Sequence, residues 1–328
     1  MEELKEKVII VGSGPCGLSA ALELKKRGID PLIIEKENIV HTIYRFPTHQ
    51  TFFSTSEKLE IGGFPFVTEH SKPLRNQALV YYRMVAKRSQ LRIQTYEQVL
   101  EVQKDGDSFH VRTIQNETKK KKYICDKVIL ATGYYDQPNQ LMVPGEELAK
   151  VSHYFKEAHP YFGQKVVVIG GKNSAVDATL ELVKAGAEVT VLYRGSRYSE
   201  SIKPWVLPDF DSLVRNDKIT MEFNANVLKI TGDQVFYEKA GKEFAIDNDF
   251  VFAMTGYQPN QQFLKSSGLL IDSKTGKPFF NEQTMESNVK GLYIAGVIAA
   301  GFNNNKIFIE NGRFHGELIA NHIITEME

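Results

Sequence analysis

Cysteine is scarce in this chain of 328 residues: there are two, Cys16 and Cys125. With no CxxC pair and no Cys/His cluster, a zinc ribbon, a cysteine-ligated iron–sulfur cluster and a thioredoxin-type dithiol are excluded, and no metal is expected. No apolar run reaches the ~18 residues of a membrane-crossing helix. Net charge is also missing, because 40 Lys+Arg balance 40 Asp+Glu. The chain therefore has no overall field to gather nucleic acid or an anionic membrane surface. The opening residues 1–7 are mixed in charge, unlike a signal or transit peptide, and a reducing cytoplasm is the expected compartment. What is present is an ordinary folded composition, 42% hydrophobic and 24% charged, long enough for about two domains.

Residues 8–35 read VIIVGSGPCGLSAALELKKRGIDPLIIE. Val8–Val11 is a short apolar run of the kind a parallel strand buried on both faces shows. A helical pattern follows, with basic residues near its end and Gly28 to stop it. Leu32-Ile33-Ile34 is the next strand, and Glu35 ends it. Gly12, Gly14 and Gly17 form GxGxxG between strand and helix. The first allows the tight turn, the second admits a pyrophosphate, and the third lets helix and strand pack closely. The helix start offers N–H groups to phosphate, and Glu35 accepts ribose hydroxyls. This is a dinucleotide site.

Residues 165–194, KVVVIGGKNSAVDATLELVKAGAEVTVLYR, repeat the pattern. The turn Gly170-Gly171-Lys172-Asn173-Ser174-Ala175 matches GxGxxA, except that Lys172 stands where the second glycine belongs. The acid position holds Tyr193, followed by Arg194 and Arg197. An acid there would repel a 2′-phosphate, whereas arginine clamps one and tyrosine stacks on adenine. NADPH is the expected ligand, and two nucleotides on one chain imply hydride passing between them.

Two near-identical phrases flank this second motif. Ala131-Thr132-Gly133 closes one strand and Met254-Thr255-Gly256 another, each followed by tyrosine, proline and asparagine. They read as two crossings of a chain that leaves one domain and returns. The expected domains are 1–137 plus 257–328 for the first nucleotide and an inserted 138–256 for the second. Lys119–Lys122 reads as a solvated hairpin tip between strands at 107–114 and 123–130. A helix is expected over Ile307–Ile324.

On these motifs the chain resembles the low-molecular-weight thioredoxin reductase group of flavoproteins, over essentially its whole length. The resemblance implies a three-layer α/β fold of two Rossmann-like domains, the NADPH domain inserted in the FAD domain. The dithiol of thioredoxin reductases would fall in Val151–Lys156, which has no sulfur, so reduction of thioredoxin is excluded. Within the group the chain is similar to the bacillithiol disulfide reductases. The phrases that carry this are Pro15-Cys16 in the glycine turn, 47–54 (PTHQTFFS), 153–162 (HYFKEAHPYF), 201–205 (SIKPW) and 307–312 (IFIENG).

The resemblance implies FAD held by Gly12, Gly14, Pro15, Cys16, Gly17, Glu35, Lys36, Tyr44, His49, Gln50, Thr51, Val99, Ala131, Thr132, Gly133, Gly296, Val297 and Ile307. It implies NADPH held by Gly170, Gly171, Lys172, Asn173, Ser174, Ala175, Tyr193, Arg194, Arg197, Thr255 and Gly256. Val297 stands where relatives carry an aspartate that touches the flavin. The implied substrate is the small-molecule disulfide of bacillithiol, and the implied assembly a homodimer or homotetramer. Cys16 is the candidate redox thiol: a helix start lowers its pKa and a pyrophosphate raises it. Alternatively the disulfide meets the flavin directly, with His49 as a proton donor. Cys125, in a strand, reads as structural. A ferredoxin or flavodoxin–NADP⁺ reductase of the same group also lacks CxxC and is the main alternative. A flavin-dependent monooxygenase, hinted at by His153, and a non-catalytic NADPH sensor are the others.

Overall fold

The computed structural model describes residues 3–303 and 305–327. It divides into two compact units. One comprises the chain up to Tyr44, His49–Gln137 and the chain from Gln258; the other comprises Arg45–Thr48 and Pro138–Tyr257.

In the first unit the strand Glu3–Val11 runs parallel to Leu32–Ile34 on one side and to Lys119–Leu130 on the other. Arg92–Gln94 extends the sheet beyond Leu32–Ile34, and Leu292–Ile294 pairs with the far end of Lys119–Leu130. A strand flanked on both edges and covered on both faces must be apolar throughout, and Val8, Ile9 and Ile10 are essentially inaccessible. Chain order reverses at this central strand, so its carboxyl end opens on a topological switch point, where nucleotides bind in such sheets.

The strand Lys119–Leu130 changes partner midway. Its first half pairs antiparallel with Ser108–Gln115, which pairs with Glu97–Asp105. The four lysines therefore lie in the strand, and the hairpin tip falls at Asn116–Thr118, where Asn116 and Glu117 take positive φ. A buried carboxylate explains the difference. Glu97 is inaccessible and accepts hydrogen bonds from Lys121 Nζ (2.6 Å), Thr113 Oγ1 (2.6 Å) and Tyr123 OH (2.8 Å). A buried charge with this many donors fixes the strand register that satisfies it.

The closing helix also departs from expectation. It is two pieces, Ile309–Gly312 and His315–Met327. The break is anchored from the first helix, Pro15–Lys26, whose Ser19 hydroxyl donates to the Arg313 carbonyl at 2.6 Å.

The second unit repeats the design. Parallel strands run in the order Thr220–Phe223, Glu188–Tyr193, Lys165–Ile169, Phe250–Ala253, Val151–Ser152. Alternate residues of the central strand serve different cores. Val166 and Val168 pack with Val176 and Leu182 of the helix Asn173–Lys184. Val167 and Ile169 pack with Val235 and Tyr237 of a three-stranded antiparallel sheet spanning 226–247. Helices on one face and a small sheet on the other make the three-layer α/β arrangement read from the sequence.

Candidate functional site

The first glycine turn leaves the carboxyl end of Glu3–Val11. Gly12 has φ +106°, and a Cβ built on it would lie 2.5 Å from the Ala131 carbonyl oxygen. A Cβ on Gly17 would collide with the Gly12 carbonyl. These two glycines hold turn, helix and neighbouring strand together. Gly14 differs: a Cβ there meets nothing within 4 Å. The free space in front of Gly14 lies at the start of the helix Pro15–Lys26, whose leading N–H groups have no partner within the helix. That combination is a phosphate cradle.

Glu35 is aimed before any ligand arrives. Its Oε2 accepts from the Ser13 amide (2.8 Å) and hydroxyl (2.9 Å), and Oε1 from the Glu37 amide (3.0 Å). Oε1 keeps a lone pair for a ribose hydroxyl. Nearby in sequence, Lys36 forms an ion pair with Asp136. Ala131, Thr132 and Gly133 follow the strand Lys119–Leu130 and are half-buried. Thr132 Oγ1 is buried without a hydrogen-bond partner among the described residues, which is a polar atom left for a ligand. The residues of this turn therefore fit a dinucleotide.

Of the other expected contacts, Tyr44, His49 and Thr51 are exposed, Gln50, Val297 and Ile307 half-buried, and Val99 and Gly296 buried. The Gly296 amide donates to His315 Nδ1 at 3.1 Å. Burial lowers the His315 pKa to about 4, so the ring stays neutral and able to accept. Sequence reasoning found neither Ser13 nor His315 as a partner. Ser13 lies inside the GSG turn and was legible as a side chain beside the acid, whereas His315 has no signal at its spacing.

Cys16 is the second residue of the helix, a free thiol whose Sγ lies against Gly296 and Gly312. The helix start would lower its pKa. Burial, and next the charge of Glu310, push it up to about 12. The Glu310 carboxylate is in turn hydrogen-bonded by Ser54. The resting form at neutral pH is therefore the thiol. Iodoacetamide should accordingly leave Cys16 of the native protein unmodified near neutral pH, as read by mass spectrometry. Glu310→Gln should move the alkylation midpoint downward. A wild-type midpoint below the ~8.5 of a free thiol would refute this account. Cys125 is buried in its strand, and burial likewise pushes its thiol up to about 12.

The second turn repeats the first with different side chains. Gly170 has φ +146°, and a Cβ there would lie 2.5 Å from the Met254 carbonyl oxygen, the counterpart of the contact between Gly12 and Ala131. Lys172 has extended backbone (φ −113°, ψ −173°), as Gly14 does (φ −67°, ψ 172°). Any residue adopts this conformation, so the lysine costs the turn no strain, and its side chain is exposed. Tyr193 packs its ring against both Gly171 and Gly195, where any Cβ would strike it. Arg197 pairs with Glu200 at 2.8 Å, an exposed pair of little energetic weight. Lys172, Tyr193, Ser196, Arg197, Ser199, Glu200 and Ser201 line one open depression of about 400 Å³. Lys172, Arg197 and the serine and tyrosine hydroxyls among them are donors that suit an anionic, phosphate-bearing nucleotide, while Glu200 is held by Arg197. Arg194 is exposed and lies outside that lining; Ser174 is exposed and Ala175 buried. Thr255 and Gly256 are tied to Asn139, through Thr255 Oγ1 to its carbonyl (2.5 Å) and its amide to the Gly256 carbonyl (2.9 Å). His153 pairs with Glu146 at 3.3 Å. Among the described residues no cluster of His, Cys, Asp or Glu is fit to hold a metal ion, and no helix is long and apolar enough to cross a membrane.

Two nucleotide turns on two Rossmann-like sheets define a flavin- and nicotinamide-linked oxidoreductase. The chain belongs to the pyridine nucleotide-disulphide oxidoreductase family, whose model matches residues 9–296. It is 61% identical over 318 residues to the bacilliredoxin reductase Bdr of Bacillus subtilis, covering 97% of each chain. The solved bacillithiol disulfide reductase Bdr of Bacillus cereus is 60% identical, with a TM-score of 0.97 over 98% of this chain and 99% of that one. Thioredoxin reductase of T. acidophilum, at 22% identity and a TM-score of 0.76 over 98% of this chain and 99% of that one, shares the fold.

Proposed function

We propose that this chain is an NADPH-dependent, FAD-containing reductase of bacillithiol disulfide, acting in thiol redox homeostasis. The observation that carries the reading is the contrast between two turns of like backbone. One ends in a pre-aimed carboxylate, Glu35, and the other in Tyr193 with Lys172 and Arg197 around an open depression. The first suits the ribose of FAD. The second suits a 2′-phosphate and so prefers NADPH to NADH. The substrate is supported by what the solved relatives are named for.

On this reading FAD belongs to the unit containing Gly12 and NADPH to the unit containing Gly170. Together the bound nucleotides supply transfer of a hydride; with one proton it converts one disulfide to two thiols. The protein's own part is to hold and aim. Gly14 leaves room for the pyrophosphate, Glu35 takes ribose hydroxyls, and Thr132 Oγ1 offers an unused hydrogen bond. Two unpaired cysteines suit a reducing cytoplasm, and a homodimer or homotetramer is the assembly implied by the resemblance.

The test is NADPH oxidation by the holoenzyme with bacillithiol disulfide. The expected result is disulfide-dependent turnover at least tenfold more efficient with NADPH than with NADH. Turnover only with a bacilliredoxin, for which the B. subtilis relative is named, or only with a ferredoxin would overturn the substrate. Cys16→Ala at equal FAD content then locates the exchange: lost turnover assigns it to the thiol, and retained turnover to the flavin face.

A further inference from the structure

We infer that Asn173 is the positioning residue that sets NADPH selectivity, by pinning the loop 199–203 over the second glycine turn. The inference rests on the NADPH reading above. Asn173 is the first residue of the helix Asn173–Lys184 and directly follows Lys172. Its side chain does not wait for a phosphate. Nδ2 donates to the Ser201 carbonyl at 2.9 Å, and Oδ1 accepts from the Lys203 amide at 2.9 Å. A carboxamide reads a stretch of backbone in this two-point way because it carries donor and acceptor side by side. Aspartate supplies only the acceptor, and serine has one atom for both.

The loop needs such a pin. At its two ends it is held by packing: the Tyr198 ring meets Phe210 and Phe223 edge-on, its hydroxyl donates to Asp211 at 3.1 Å, and Ile202 is buried in the core. Between these anchors the chain is polar. The Ser199 and Ser201 hydroxyls bond each other at 2.8 Å, and both residues line the depression with Lys172 and Arg197. The Asn173 bonds alone among these contacts join that polar stretch to the glycine turn. They fix the distance between Lys172 on one wall and Ser199 and Ser201 on the other. Without them the two walls separate, and a phosphate group held between them loses part of its donor set. NAD⁺ and 5′-AMP bring no 2′-phosphate and do not draw on that donor set, and FAD is assigned to the other unit.

The chain supplies its own reporter, since its single tryptophan, Trp205, lies two residues beyond Lys203. FAD-loaded wild type, Asn173→Ala and Asn173→Asp would be titrated with NADP⁺, NAD⁺, 2′,5′-ADP and 5′-AMP while Trp205 emission is followed. FAD content and melting temperature serve as controls for folding. Asn173→Ala should bind NADP⁺ and 2′,5′-ADP at least tenfold more weakly, with NAD⁺ and 5′-AMP changed less than twofold. Asn173→Asp keeps one of the two bonds but adds a negative charge beside the depression, so it should bind NADP⁺ at least as weakly as Asn173→Ala, and it guards against a misfolded alanine variant. NADP⁺ affinity within twofold of wild type in both variants overturns the inference while leaving the NADPH reading standing. So does a loss shared equally by NAD⁺, which would mark a general structural role. Wild type that binds 2′,5′-ADP no better than 5′-AMP overturns the NADPH reading, and the inference with it.

Discussion

Gly12→Ala is expected to yield protein that carries no flavin and is less stable by about 2–5 kcal/mol. Two costs add. At φ +106° an L-residue is strained by roughly 1–2 kcal/mol. The new methyl would also meet the Ala131 carbonyl 2.5 Å away, and overpacking of this kind costs typically 1–3 kcal/mol. The neighbour cannot yield cheaply, since it is backbone at the end of a central strand. Gly14→Val makes the contrast. Its backbone is extended and its side chain enters open space, so the apoprotein should melt close to wild type while flavin is still lost. Both variants are read by visible flavin absorbance per protein and by melting of the flavin-free forms, because bound ligand raises stability by itself. Gly12→Ala retaining flavin at the wild-type ratio would refute the division of labour between the two glycines.

Acidification should release stability through one histidine. His315 has its pKa lowered from 6.5 to about 4 by burial. Between those values the unfolded chain binds the proton and the folded chain does not, so stability falls as pH drops from about 6.5 towards 4 and levels off below. A gap of this size is worth on the order of 3 kcal/mol. In the folded protein the ring takes its proton only near pH 4, and this removes the acceptor that holds the Gly296 amide, so the turn beside Cys16 loosens at the lower edge of that range. Flavin release followed by fluorescence should have its midpoint there. His315→Asn keeps an acceptor that does not titrate and should flatten the curve over this range. An unchanged pH profile in that variant would assign the acid lability to the carboxylates instead.

How much of this was legible beforehand differs by residue. The turn glycines, Glu35 and the Tyr193–Arg197 segment stood out because phosphate binding forces fixed spacings close in sequence. The Rossmann sheets followed, since unbroken apolar runs such as 8–11 and 165–169 have few other fates. Contacts set by tertiary structure were out of reach. Lys119–Lys122 read as a loop because a run of like charges normally is one, and Glu97, the buried partner of Lys121, announces itself only in three dimensions. The final helix read as continuous because nothing in its periodicity marks the bond from Ser19 to Arg313. The sequence puts Cys16 beside a pyrophosphate site, whereas the charge that acts on it in the structure is Glu310, almost 300 residues away in the chain.

Tyr193 carries a consequence for how the nucleotide preference we propose could be rewritten. Its ring is the filler between Gly171 and Gly195. Installing an acid there, as the first turn has at Glu35, would remove that filler as well as admit NADH. Because Tyr193 is half-buried and lines the open depression, the loss would cost stability, though less than the ~3–5 kcal/mol typical of a core aromatic. Change between the two nucleotides is thus coupled to volume: neither Gly171 nor Gly195 can gain a Cβ while the ring is in place. A lineage would have to change two positions together, which makes the phosphate preference harder to lose than the exposed arginines alone would make it.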